Sequence, residues 1–419
     1  MLYRTNIVAL FAFAALALMA ASDTHAQQST DGLPEWLQKE MQRESRRAGK
    51  KRDVSLLDDA LTFEVPSKKK VEPSERFDWG QYITVDIGSD SPMECLIYAE
   101  SAGQGALLQS VSDHAIDSIV SNNAAELDSR SIISHTVDHI DGRGFLSVEW
   151  LIVVLPENGE KAASAAKAAV TSVSDHPVAC MHTGLGYSET FNNAFASIVR
   201  TIKSNTEQTQ PFYQETQLIS VSEQTIGFAT TSYTIDEDGD TMMIYEESSA
   251  LPADASTLAT TDAFLAEWSR PDGTMINSVV SDIENGERTQ RLTLEVDDAG
   301  VWLINGDIQG KSFTSELPDI VDMPSTTLQQ QLVRDIVSDP DRTSGDIVAW
   351  VPDVDPGALS TFVFTQGDDA RSGTASIGPL NIQMQLAADG LVNRMDAELA
   401  GITLTSERVW FAGSVPELK

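Results

Sequence analysis

Cysteine is almost missing: 419 residues hold only Cys95 and Cys180. That excludes a thiolate metal centre and a Cys-x-x-Cys redox site. Histidine is nearly as scarce, at six residues, so most metal and acid–base schemes lack parts. Positive charge is short as well, with 28 Lys and Arg against 63 Asp and Glu, a formal net charge of -35. Nucleic acid repels such a chain, so DNA or RNA binding is excluded, and the acidity fits solubility in a salty exterior. No Gly-x-Ser-x-Gly elbow, His-Glu-x-x-His pair, phosphate loop or dinucleotide fingerprint occurs. Nothing in this inventory names a reaction. Neither a cofactor nor a metal is expected, and the enzyme reading is the minority one.

The first 26 residues carry an address. Arg4 precedes an apolar run from Ile7 to Ala21, and Thr24-His25-Ala26 closes it with small residues at the outer positions. This is the pattern of an export signal cleaved after Ala26. The run is too short for a comfortable membrane span, and no cysteine follows it to take a lipid anchor. The expected product is a soluble periplasmic or secreted protein without a transmembrane segment. In that oxidising setting Cys95 and Cys180 are expected to form a disulfide.

Four segments follow from composition: the signal over 1–26, a polar leader over 27–78, an α+β domain over 79–204 and a β-rich domain over 214–419. Between Glu35 and Arg76 there are 11 bases against 9 acids, whereas residues 77–419 carry 16 against 52. Glu35 to Arg52 has helix-forming composition with a thin stripe of Trp36, Leu37 and Met41. The leader is therefore expected to be largely disordered or a single helix, with a membrane-surface or partner-binding role as the alternative.

Residues 79–204 read as ββαββαβα. Leu108, Val111, Ala115 and Ile119 share one helical face, and Asp141-Gly142-Arg143-Gly144 turns a long hairpin. Alanine-rich Glu160 to Val173 is helical by propensity. Phe191, Ala194, Phe195, Ile198 and Ile202 form the clearest 3.6-residue stripe. Helices are expected on one face of an antiparallel sheet.

Beyond Pro211 the pattern changes to alternating strands joined at Asp238-Gly239, Asn285-Gly286 and Asp389-Gly390. One helix enters at Pro324-Ser325 with Leu328, Leu332, Ile336 and Val337 on one side. A sheet this long must hide a face, which predicts a half-barrel or open barrel around the helix. The fold class is thus α+β: an α+β sandwich domain, then an antiparallel half-barrel with one helix.

Each candidate site has a plain alternative. His135 and His139 share a strand face near Asp138 and Asp141, yet two ligands are missing from a closed metal site. Cys180-Met181-His182 pairs a thiol with a base, but a disulfide would consume the thiol. Asp236-Glu237-Asp238-Gly239-Asp240 suggests calcium, but the sixth loop position is Thr241 where glycine is needed. In the last domain, Phe228, Trp268, Trp302, Phe364 and Trp410 are candidates to line a ligand cavity, or else they form the core under the helix. Arg408 shares parity with Ile402, Leu404 and Trp410. A charge on an apolar face needs a partner, such as Asp396, or a bulge near Ser406 to turn it outward.

The long strands, Asx-Gly hairpins and single helix resemble the LolA/LolB-like half-barrels, especially from Asp389-Gly390 through Glu407-Arg408-Val409 to Gly413. That resemblance implies an apolar concave face for acyl chains and assigns no individual contact residue. The expected partner is an apolar small molecule or lipid, or another envelope protein. A structural module with a filled core and an unrecognised hydrolase are the alternatives.

Overall fold

The computed structural model describes residues 33–418, apart from 48, 101, 158, 174, 175, 206–209, 318, 319, 340, 370, 400, 416 and 417. The expected signal over 1–26 lies outside the described residues. Two compact units are formed. The N-terminal unit runs through Glu207 and takes in Ser249–Thr260, while the C-terminal unit is Gln208–Ser248 with Thr261–Lys419.

The described part of the leader, from Leu33 on, is folded, contrary to expectation. Its helix α1 is short, Glu35–Met41. Beyond it, β1 (Lys50–Leu56) and β2 (Leu61–Ser67) pair as an antiparallel hairpin, and β2 also pairs with the two-residue β9 (Lys203–Ser204). The reason was written in β2: Leu61, Phe63 and Val65 alternate with Thr62, Glu64 and Pro66 and are buried. Basic composition outweighed that short alternation in the sequence reading.

The six-stranded sheet of this unit has the order β3-β4-β8-β7-β6-β5. Its strands are β3 (Gly80–Val85), β4 (Met93–Tyr98), β5 (Ala125–Ile140), β6 (Arg143–Pro156), β7 (Ala162–Val173) and β8 (His176–Thr183). The β5–β6 turn is the expected one, with both Asp141 and Gly142 at positive φ. The alanine-rich segment is β7, a strand and not a helix. It lies between β6 and β8 with Ala165 to Thr171 buried. Tertiary packing overrides alanine's helix propensity there, since small side chains let layers approach closely.

Helices cover both faces of this sheet. Helix α3 (Ser188–Thr201) joins the core of Ile83, Cys95 and Cys180 through Phe191, Phe195 and Ile198. Helix α2 (Gln104–Asn122) contributes nothing to that core and packs on β6, β7 and β8 from the other side. Cys95 and Cys180 are direct cross-strand partners and form the expected disulfide.

The C-terminal unit is built on a 14-stranded antiparallel sheet. Its strands include β10 (Tyr213–Val221), β11 (Gln224–Ile235), β12 (Thr241–Pro252), β13 (Leu258–Ser269), β14 (Met275–Glu284), β15 (Glu287–Val296) and β16 (Trp302–Ile308), then β17 (Lys311–Leu317), β18 (Ser344–Trp350), β19 (Leu359–Gln366), β20 (Ser372–Ile377), β21 (Leu380–Leu386), β22 (Val392–Leu399) and β23 (Ile402–Gly413). Their order runs β17-β16-β15-β14-β13-β12-β11-β10-β23-β22-β21-β20-β19-β18. Among the described residues β17 (Lys311–Leu317) and β18 (Ser344–Trp350) are the two ends, so the sheet is not closed. Among the described residues of this unit the one helix is α4 (Thr326–Ser338), which links those ends in sequence, and its Ser325 cap accepts from Leu328 N at 3.2 Å.

Candidate functional site: the helix-bearing face of the C-terminal sheet

Register decides which side each candidate occupies. Strand β10 (Tyr213–Val221) pairs with β23 (Ile402–Gly413), and Gln217 faces Arg408 while Thr216 faces Trp410. Val409 is therefore the extra residue of a bulge, which flips the parity of the strand. Arg408 and Trp410 point to opposite faces, not to one as expected. Phe228 pairs with Leu218 and so lies away from Gln217 and Arg408.

Helix α4 marks the side that holds Arg408's partners. Tyr233, opposite Tyr213 in the β10–β11 ladder, accepts from Gln330 Nε2 at 2.8 Å. Glu267 on β13 (Leu258–Ser269) accepts from Thr326 N at 2.8 Å. Trp268 follows Glu267 and points the other way. Trp302 shares its strand parity with Ile304, which ladders through Leu294 and Ser278 to Glu267, so it is on the helix side. Phe364 pairs with Gly345, where an added Cβ would meet Ile336 and Leu332 of the helix. The six predicted residues thus split evenly: Trp302, Phe364 and Arg408 with the helix, Phe228, Trp268 and Trp410 opposite. They do not line one cavity.

Arg408 is buried and fully engaged. It pairs with Asp389 at 3.0 Å and Glu215 at 3.6 Å, donates to Tyr213 Oη at 3.1 Å, and sits 4.8 Å from the Phe411 ring centre. Its partner is not Asp396, which instead holds Arg394 at 2.9 Å and accepts from Thr405. Tyr213 donates to Glu215 at 2.7 Å, Gln217 donates to its other oxygen at 2.9 Å, and Ser406 donates to Gln217 at 2.7 Å. Burial raises the Glu215 carboxyl while Tyr213 and Arg408 oppose that rise. Burial also works against charge on Arg408, but Tyr213, Glu215 and Asp389 outweigh it and keep the guanidinium charged. This is a satisfied polar network, which fixes geometry and offers no open valence.

A second acidic group lies further along the sheet. Glu247 is buried and accepts from Tyr245. Burial, reinforced by Asp282, Asp262 and Asp353, raises its carboxyl to about 8 despite the tyrosine bond. Glu215, Tyr233 and Glu267 are not legible as a group in the sequence, because an isolated polar residue on a strand gives no sign of which face it takes.

In the N-terminal unit His182 is buried, while His135 and His139 are half-buried. His182 Nε2 lies 3.1 Å from Ser89 Oγ and 3.3 Å from Ser91 Oγ. Ser89 already donates to Ser91 O, and Ser91 to Thr183 O. The ring nitrogen must therefore be the donor, which is the reverse of a base that activates serine. Burial, with Lys167 nearby, lowers its pKa to about 3. Cys180 is spent in the disulfide. Burial lowers His135 to about 4, against a hydrogen bond to the Ala250 backbone. Among the described residues no three His, Cys, Asp or Glu side chains are placed to hold a metal ion. Asp236 of the acidic turn accepts from Asp238 N and Asp240 N at 3.0 and 2.9 Å, the bonding of an Asx turn.

No protein-family model matches the chain, and no curated protein matches it. Among solved structures, a β-barrel-like protein of domain of unknown function DUF1849 from Brucella abortus aligns with TM-score 0.37 and 9% identity, over 48% of this chain and 98% of its own. Cyanobacterial PsbP from Synechocystis aligns with TM-score 0.26 and 12% identity, over 39% and 96%. A DUF1089 family protein from Pseudomonas aeruginosa aligns with TM-score 0.21 and 13% identity, over 46% and 93%. None of the three is a LolA- or LolB-type carrier, and likenesses this distant carry no argument about activity. What stands is the fold of the described residues: antiparallel β sheets, four helices and no closed barrel among them.

Proposed function

We propose that the chain is an exported, non-enzymatic interaction module of the cell envelope whose C-terminal sheet is filled by its own helix. One observation carries this reading: α4 lies against the face where a carrier would hold an acyl chain, bonded through Gln330 to Tyr233 and through Thr326 to Glu267. An acyl chain could enter only by displacing those contacts and leaving buried polar groups unpaired, at about 1 to 3 kcal/mol for each. The hydrolase alternative loses support because His182 Nε2 faces the Ser89 and Ser91 hydroxyls, whose protons go to carbonyls, and among the described residues no carboxylate bonds the ring.

Two measurements test the reading. A dansyl-labelled fatty acid should show no saturable fluorescence change with the folded protein. Saturable binding reversed by palmitate would restore the lipid-carrier reading. Fractionation of expressing cells should recover a chain starting at Gln27 outside the cytoplasm, and recovery of the uncleaved chain in the cytoplasm would remove the export claim.

A further inference from the structure

The N-terminal unit leaves one part of its sheet uncovered. Helix α2 packs over β6, β7 and β8, but on β3 and β4 an aromatic row stands in the open. Phe77, Trp79 and Tyr82 are 43%, 42% and 44% exposed. The Phe77 and Trp79 rings are parallel within 3° at 5.5 Å, and Phe77 and Tyr82 within 14° at 6.3 Å. Tyr98 extends the row beside Trp79 at 5.9 Å. A contiguous exposed patch of large aromatics on a folded chain marks a contact surface more often than chance.

The row is built rigidly. Phe77 N donates to Gly80 O at 2.8 Å and Gly80 N to Phe77 O at 3.1 Å, which closes a tight turn under the rings. Gly80 has φ of 144° and no room for a Cβ, which would fall 1.9 Å from Ile97 O. Beneath it, the disulfide ties β4 to β8. Rings already fixed in place lose little entropy on contact.

Charge selects the partner. Asp78 stands between Phe77 and Trp79, and Glu94 shares the face of Leu96 and Tyr82 by the β3–β4 ladder. Glu75 and Glu100 flank them, and these four exposed carboxylates make no ion pair among the described residues. The neighbouring cations are taken, Arg76 by Asp58 and Lys70 by Glu72 at 2.9 Å. The chain as a whole carries -35, which would steer a cation toward it. Its own aromatics already accept guanidinium groups, with Arg43 5.4 Å from the Tyr187 ring centre and Arg130 5.3 Å from that of Trp150. An anionic headgroup would meet Asp78 at the tip of the turn, which disfavours a membrane.

We propose that the Phe77–Trp79–Tyr82–Tyr98 row, with its acidic fringe, is a docking surface for an arginine-bearing segment of a partner protein. Rings would take the guanidinium faces and the carboxylates their N–H groups. The surface belongs to the N-terminal unit, so its failure and that of the filled-sheet reading are seen by different probes.

The test uses the full chain and a hexa-arginine peptide in isothermal titration, with hexa-glutamine peptide and a neutral glucose hexamer as comparisons. Arginine peptide alone should bind. The double substitution F77A/W79A, which leaves net charge unchanged, should weaken it about tenfold. A second variant, D78N/E94Q, keeps the rings and should weaken it several-fold, more so at low salt. All four positions are exposed, and an unshifted thermal midpoint would confirm that the variants fold. Equal binding by wild type and both variants would overturn the proposal, as would no binding of the arginine peptide. So would a preference for the glucose hexamer that F77A/W79A abolishes, which would mark the row as a glycan platform.

Discussion

The two units hide their surfaces by opposite means. The N-terminal unit closes around an apolar core of Ile83, Val85, Ile97, Phe191 and Ile198, stapled by one buried disulfide. The C-terminal sheet carries Tyr213, Glu215, Tyr233, Glu267 and Arg408 toward its helix; Tyr213, Glu215 and Arg408 bond one another, while Gln330 and Thr326 bond Tyr233 and Glu267. Apolar contact is non-directional and tolerates change, whereas a buried polar network is unforgiving once a member is lost. The contrast teaches where each unit is fragile: the first to loss of a cross-link, the second to loss of a partner or a proton.

The largest expected effect breaks the first unit. The disulfide spans 85 residues, and in the chain-entropy model its removal costs about 4 to 5 kcal/mol. Denaturant titration of C95A/C180A should shift the N-terminal transition by that amount and leave the C-terminal one in place.

A change of similar size is expected from pH in the second unit. The Glu247 carboxyl titrates at about 8 in the fold against 4.5 ordinarily. The folded state thus holds this proton more tightly than the unfolded chain does. Its stabilising contribution is full below about pH 4.5 and is lost as pH rises through 8, roughly 5 kcal/mol in all. Stability measured across this window should fall in wild type and stay flatter in E247Q.

Next in size is R408M, which leaves Glu215 and Asp389 without their cation. Removing one partner of a buried pair costs about 3 to 5 kcal/mol, of which we expect the lower end because Asp389 is partly exposed. Restoring the balance with E215Q in the same chain should recover part of the loss, as a double-mutant cycle would reveal.

The smallest effect sharpens the account of the leader. Glu44 accepts from Glu189 N and Thr190 N, both at 2.9 Å, and so caps helix α3 from 145 residues upstream. E44A should cost about 0.5 to 2 kcal/mol, and hydrogen exchange should quicken in the first turn of α3 and around Arg43, whose carbonyl binds Tyr187 N.

Much of this fold was legible where a local rule has one structural outcome. Asp141-Gly142 and Asn285-Gly286 demanded a left-handed turn, and both dipeptides have it. Ser325 announced the helix it caps, and the Phe191 stripe found its core. Legibility failed where a distant partner decides. Ala162–Val173 is a strand because two neighbours pair with it, which alanine propensity cannot express. The β1–β2 hairpin was hidden by a basic composition. Arg408 was recognised as needing a partner, but the Val409 bulge reassigned its face and Asp389 arrived from a turn 19 residues away. Three of the five predicted lining residues, Phe228, Trp268 and Trp410, lie on the face away from the helix, because parity does not survive a bulge or identify the inner side.

Native mass spectrometry of protein gently extracted from its producing cells tests the central claim most directly. The account predicts the mass of the polypeptide alone, lacking its first 26 residues and two hydrogens at the disulfide. A species heavier by the mass of an acyl lipid, released on mild activation, would contradict it.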